Sequence, residues 1–273
     1  MDLPTVKVGD KDLTVTQMLA HRKKQLNEML PEGCGITGDQ LFRIAQMEIM
    51  RNPDLAQCDP NSVMNAIYDS ARLGLLIGRE AHLVPFKRTC QMIPDYRGYI
   101  TLSYRSGIVQ SLDAKLVFPQ DQFEVEEGSA MRIEHKPDYS SNRSNTEAIL
   151  YVYAIAWIEG SQKPIFHVMN RGEIDRIRAS SAMRDGIPWT KWEDRMWLKT
   201  AIKHLCDKRL PTTRVVGLSD LIELDNRTDT GRIGKPVSWE STEDVEHHID
   251  EETKMREEDL KLALQDAKTR QNG

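Results

Sequence analysis

The chain has 273 residues, 39% of them hydrophobic and 29% charged, the profile of a soluble globular protein with one large domain or two modest ones. No run approaches the roughly 20 apolar residues of a bilayer span, so no membrane association is expected. The net charge of −5 is unevenly spread and does not exclude an anionic ligand: Asp225 to Gly273 holds thirteen Asp/Glu against eight Lys/Arg, which leaves the first 224 residues neutral.

In chain order, Leu13 to Leu30 is expected as a helix, with Thr14 as N-cap and Pro31 and Gly33 as its stop. Thr37 to Arg51 follows as a second helix, ended by Asn52-Pro53. A third opens on Asp59 with Pro60 at its first position, where a missing amide costs nothing. The pattern then changes at Gly74. Ala81 to Phe86 and Cys90 to Ile93 are expected as strands around a basic tip, Lys87-Arg88-Thr89. Tyr96 to Ser106 is expected as a short helix closed by Gly107. Val109 to Val117, Gln122 to Glu126, Met131 to His135, a central Ala148 to Ile158, and Ile165 to Met169 are expected as antiparallel strands. Residues 137–145 form a polar loop. Helices resume over Arg171 to Ser180 and Trp189 to Lys208, the latter with Trp192, Met196, Ala201, Ile202 and Leu205 inward. The tail is polar, with a small acidic helix expected over 251–267. The organisation expected is thus a core over 1–224 (helical over 13–73, mixed over 74–224) and an acidic tail over 225–273.

Two stretches concentrate chemistry. Pro94 to Gly107 places Tyr96, Tyr99 and Tyr104 among Arg97 and Arg105, in a chain with only 6% aromatic residues. Aromatic faces suit nucleobases and guanidinium forks suit phosphates, although the same residues also line ordinary amphipathic helices. The second stretch is Arg171 to Arg214, with eleven basic and six acidic residues. Within it Lys191, Arg195, Lys199 and Lys203 recur every four residues, a slowly drifting row on one helix that could equally be a solvated face.

Catalytic signals are weaker. Pro94-Asp95, followed after seventeen residues by Asp113-Ala114-Lys115, fits a metal-dependent nuclease pattern in which Asp95 and Asp113 hold Mg²⁺ and Lys115 steadies the attacking water. That pattern is short, and Asp95 also serves as a helix cap. The histidines lack metal-binding spacing, and the four cysteines (Cys34, Cys58, Cys90, Cys206) suggest neither a zinc site nor a disulfide framework. The start, Met1-Asp2-Leu3-Pro4, lacks the basic and apolar regions of a secretory leader. A cytoplasmic binding protein without a catalytic side-chain site is the expectation.

Three segments together resemble the RecT family of phage single-strand annealing proteins. They are Leu73-Gly74-Leu75 with Leu83-Val84-Pro85-Phe86, then Tyr96-Arg97-Gly98-Tyr99 through Arg105-Ser106-Gly107, then Trp189 through Trp192-Glu193 and Met196 to Lys199-Thr200-Ala201-Ile202. The resemblance covers roughly Gly35 to Thr213 and departs from the family at Pro94-Asp95. It implies an α+β fold in which a curved antiparallel sheet and one long basic helix form a groove. It further implies an ATP-independent recombinase that binds single-stranded DNA and pairs it with the complementary strand. Such a protein works as a ring or helical filament of identical subunits, beside a phage 5′→3′ exonuclease and a host single-strand binding protein. No cofactor is required, and Mg²⁺ modulates DNA binding at most. The DNA-binding residues implied are Lys87, Arg88, Tyr96, Arg97, Tyr99, Arg105, Lys191, Arg195, Lys199 and Lys203.

Overall fold

The computed structural model describes residues 3–8 and 11–231; the helix expected over 251–267 lies outside them. An antiparallel hairpin, β1 (Thr5–Val8) and β2 (Lys11–Thr14), opens the chain. Its four-residue alternations are too short to register in a periodicity reading. The single helix expected next is two, α1 (Val15–His21) and α2 (Lys23–Glu28). The break falls at Arg22, whose backbone leaves the helical region at φ −105° and ψ 17° while its side chain is buried. Then come α3 (Gly38–Arg51), α4 (Pro53–Ala56) and α5 (Pro60–Leu73). Asp59 caps α5 as expected, accepting from the Ser62 amide at 2.9 Å; Thr37 likewise accepts from the Gln40 amide, and Gly74 closes α5 in the left-handed region.

β3 (Ala81–Phe86) and β4 (Thr89–Pro94) form a hairpin that leads into α6 (Tyr96–Arg105). Gly98 is required where α6 crosses the preceding turn, because a Cβ there would lie 2.7 Å from the Glu80 carbonyl oxygen. The remaining strands are β5 (Val109–Val117), β6 (Gln122–Glu126), β7 (Arg132–Lys136), β8 (Tyr151–Ile158) and β9 (Ile165–Asn170). The named strands pair antiparallel, and β8 is central in the three-stranded sheet, in the order β5-β8-β9. One curved sheet was the expectation; β1-β2, β3-β4 and β6-β7 are instead separate two-stranded ribbons beside this three-stranded sheet. The outer edge of β5 is blocked by side chains, as edge strands commonly are. The Tyr104 hydroxyl bonds both the amide and the carbonyl of Leu112, and Arg143 donates to the Leu116 carbonyl at 3.1 Å.

Four α-helices complete the described residues: α7 (Arg171–Ser180), α8 (Ile187–Lys191), α9 (Glu193–Arg209) and α10 (Leu218–Asp229). The long helix expected from Trp189 is therefore interrupted at Trp192. α10 crosses the boundary expected at 224/225, so Asp225 belongs to the folded body. Val152, Ala154 and Ala156 on one face of β8 share a continuous core with Trp197, Ala201, Ile202 and Leu205 of α9. On the opposite face, Tyr151 and Tyr153 stack on Phe123 of β6, with ring centres 5.7 and 5.6 Å apart. Among the described residues no helix is long and apolar enough to cross a membrane.

Candidate nucleic-acid interface

The ten expected DNA-binding residues divide by what already occupies them. Lys87 and Arg88 form the exposed tip of the β3-β4 hairpin, with Lys87 in the left-handed region at φ 58°. The tip is tethered to the start of α5, because the Asp59 amide donates to the Arg88 carbonyl at 2.7 Å. Arg97 is exposed in the first turn of α6, with its guanidinium 5.3 Å from the half-buried Tyr96 ring. Lys191 ends α8 and Arg195 lies in the first turn of α9; both are exposed. None of these five cations forms an ion pair among the described residues.

The other four turn inward. Arg105 donates to the Leu73 and Gly74 carbonyls, both at 2.7 Å, so its fork ties α6 to the end of α5. Tyr99 is fully buried and its hydroxyl donates to Asp225 at 2.7 Å. Lys199 donates to the other Asp225 oxygen, also at 2.7 Å. Lys203 lies 3.3 Å from Asp225 and 2.6 Å from Asp229. Three of the expected contacts thus converge on one carboxylate, which joins α6, α9 and α10. Burial by itself would raise the Asp225 carboxyl; Lys199, Lys203 and the Tyr99 hydroxyl hold it below the usual carboxylate range. Burial also opposes the charge on Lys203, but Asp225 and Asp229 outweigh it and raise the ammonium. The Tyr99 hydroxyl is pushed well up by burial and then by Asp225, so it remains a donor. Beside this cluster lies a cavity of about 220 Å³, bounded by α7, α9 and α10, with Trp189, Met196 and Thr200 in its wall. For Lys199 or Lys203 to reach a phosphate, α10 would first have to release them.

Sequence reasoning missed Asp225 and Asp229 as partners of the lysines. It also placed Trp192 inward, whereas that indole is 47% exposed. A signal for the break was present: Glu193-Asp194 are the acidic residues favoured in a first helical turn, and they mark a new helix beginning after Trp192. The residues of the nuclease pattern each have a local partner. Asp95 caps α6 through the Arg97 amide at 3.0 Å and lies 3.5 Å from His82. Asp113 and Lys115 pair with each other at 2.8 Å on the exposed face of β5. Among the described residues no three His, Cys, Asp or Glu side chains are grouped to hold a metal ion.

The RecT family model matches residues 39–231. Protein RecT of Escherichia coli (strain K12) is 36% identical over 205 residues, which cover 70% of this chain and 72% of that protein. The chain belongs to the RecT family. The Bacillus subtilis (strain 168) protein described as uncharacterized protein YqaK is 26% identical over 157 residues, covering 56% of this chain and about half of its own length, 53%. RecT membership makes the chain a DNA-binding protein of single-strand annealing and recombination. The RecT match ends at residue 231, so it takes in α10 with Asp225 and Asp229, whereas β1 through α2 precede it.

Proposed function

We propose that this RecT-family chain anneals complementary DNA strands without ATP, acting as a ring or filament of identical subunits. The observation that supports this reading most directly is the set of five exposed cations, Lys87, Arg88, Arg97, Lys191 and Arg195, that no carboxylate neutralises among the described residues. Such cations bind phosphates by releasing condensed counterions, which gives affinity without reading sequence and leaves base edges free to pair. Each correct base-pair step then adds roughly 1.4 kcal/mol, so a matched strand outcompetes a mismatched one with no nucleotide hydrolysed. Contacts that are weak in one subunit become effective when subunits repeat along a strand. Tyr99, Arg105, Lys199 and Lys203 support this work by holding α6, α9 and α10 together rather than by touching DNA in this conformation. A 5′→3′ exonuclease that supplies the strand, and a single-strand binding protein that otherwise covers it, are the partners this activity calls for. Mg²⁺ acts on binding, not on chemistry.

Mixing the purified protein with complementary labelled oligonucleotides, without ATP and with or without Mg²⁺, tests the reading. Duplex should accumulate with both strands intact, faster than in protein-free controls. Strand loss that needs Mg²⁺ and disappears in Asp113→Ala would overturn it in favour of the nuclease built on Asp95, Asp113 and Lys115.

A further inference from the structure

Three arginine–tryptophan stacks surround the start of α9, and one of them differs from the others. Arg178 lies 5.8 Å from the Trp189 ring and Arg171 lies 4.8 Å from the Trp197 ring. Both indoles are buried, and Glu193 sits 3.8 Å from each of these arginines. Those two stacks have buried indoles, and their arginines share one carboxylate. The third is Arg195, 4.4 Å from Trp192. Here the indole is 47% exposed, the guanidinium is exposed, and no carboxylate pairs with it among the described residues. Lys191, the residue before this indole, is likewise exposed and unpaired among them.

An exposed indole with a cation over its ring offers a flat π surface beside positive charge, a combination suited to a ligand that carries both a ring and an anion. What lies around Trp192 narrows the partner's chemistry. An apolar protein surface would have to desolvate Arg195 and Lys191 without compensation, which is costly. A nucleobase would stack on the flat indole face, while its flanking phosphates meet Arg195 and Lys191. Trp157, an indole of similar exposure at 41%, shows the contrast: it stands on β8 opposite Ser111, with no cation over its ring among the described residues.

We infer that Trp192 is a base-stacking residue, and that Trp192, Arg195 and Lys191 form a subsite for one unpaired nucleotide of a single strand. This rests on the annealing reading and adds to it. The phosphate cations alone would accept duplex and single strand alike, whereas an indole face selects a base that is out of its own stack. The position of Trp192 suits the task. It lies in the break between α8 and α9, at φ −129° and ψ 37°, with its indole 47% exposed.

The test compares full-length wild type with Trp192→Phe, Trp192→Leu and Trp192→Ala, binding oligo(dT) and an abasic strand of equal length. On oligo(dT), Trp192→Ala and Trp192→Leu should weaken binding about 5- to 150-fold, while Trp192→Phe should bind nearly as wild type. On the abasic strand all four proteins should bind alike, and the salt dependence should not change. If Trp192→Ala does not fold, the Leu and Phe variants decide, because leucine keeps apolar bulk without a π face. Equal weakening on both strands would reduce Trp192 to a positioning role and overturn the inference, as would no weakening on either. A wild-type protein that binds neither strand would overturn the annealing reading itself, and the subsite with it.

Discussion

A carboxylate with no exposed surface, as at Asp225, persists only if its oxygens are fully engaged. Here two ammonium groups and a phenol engage them. Removing one member of such a buried set strands the remaining charge, at a cost of about 3–5 kcal/mol. Arg97 and Lys199, which sequence reasoning treated alike, should therefore part company. Arg97→Ala should leave the urea midpoint unchanged and lower the salt slope of single-strand binding by about one. Lys199→Ala should lower stability by about 3–5 kcal/mol, read as a drop in the urea midpoint. Equal salt slopes for both variants, with unchanged stability, would place Lys199 on the DNA instead. None of this was legible residue by residue. Lys199 and Asp225 are 26 positions apart and Tyr99 and Asp225 are 126 apart, and a buried aspartate in a polar run reads as tail.

At the scale of elements, the lysine row shows why a four-residue spacing misleads. Each step of four advances about 40° around a helix of 3.6 residues per turn. From Arg195 to Lys203 the row rotates by roughly 80°, enough to carry it from solvent into the interface with α10. The interruption at Trp192 separates Lys191 further. Caps and turns were easier to read, because Asp59-Pro60 and Gly74 act on backbone within a few residues of themselves and need no distant partner. The hairpin tip was legible as a turn, but not its strain. Lys87 occupies a region that costs a side-chain-bearing residue about 1–2 kcal/mol, which glycine would avoid. Lys87→Gly should keep the melting temperature or raise it slightly, while lowering the salt slope of DNA binding by about one. A lower melting temperature would show that the lysine stem packs on its neighbours.

For the molecule as a whole, charge burial predicts an acid response in two stages. The His204 imidazole is pulled down to about 4, by burial first and then by Lys208, His167 and Lys203, against the weaker opposing pull of Asp207. His167, stacked on it at 5.7 Å, is also lowered, by burial first. A base lowered in the folded state stabilises fully above its unfolded value of about 6.5, and that contribution is lost as pH falls toward about 4. Asp225 is held down by Lys199 and Lys203 against burial, and Asp121 by Arg143, His135 and two backbone amides. Their contributions are complete above about 3.9 and vanish only below it. Melting temperature should thus begin to fall below about pH 6.5 and fall again below about pH 4. His204→Gln should flatten the first stage alone; an unchanged first stage would assign it to other groups. The charge census of the sequence left room for an anionic ligand, but only the fold tells which charges face water and which face each other.

The Asp225 junction also sets a schedule for the nascent chain. Strands, hairpins and α6 are all complete in sequence well before residue 225, yet Tyr99, Lys199 and Lys203 have nothing to bind until α10 has been made. Domains commonly fold as units while synthesis proceeds at about 5–20 residues per second. This body cannot close until Asp229 has left the ribosome. Until then Lys199 and Lys203 lack the carboxylates of α10 that pair with them in the folded body.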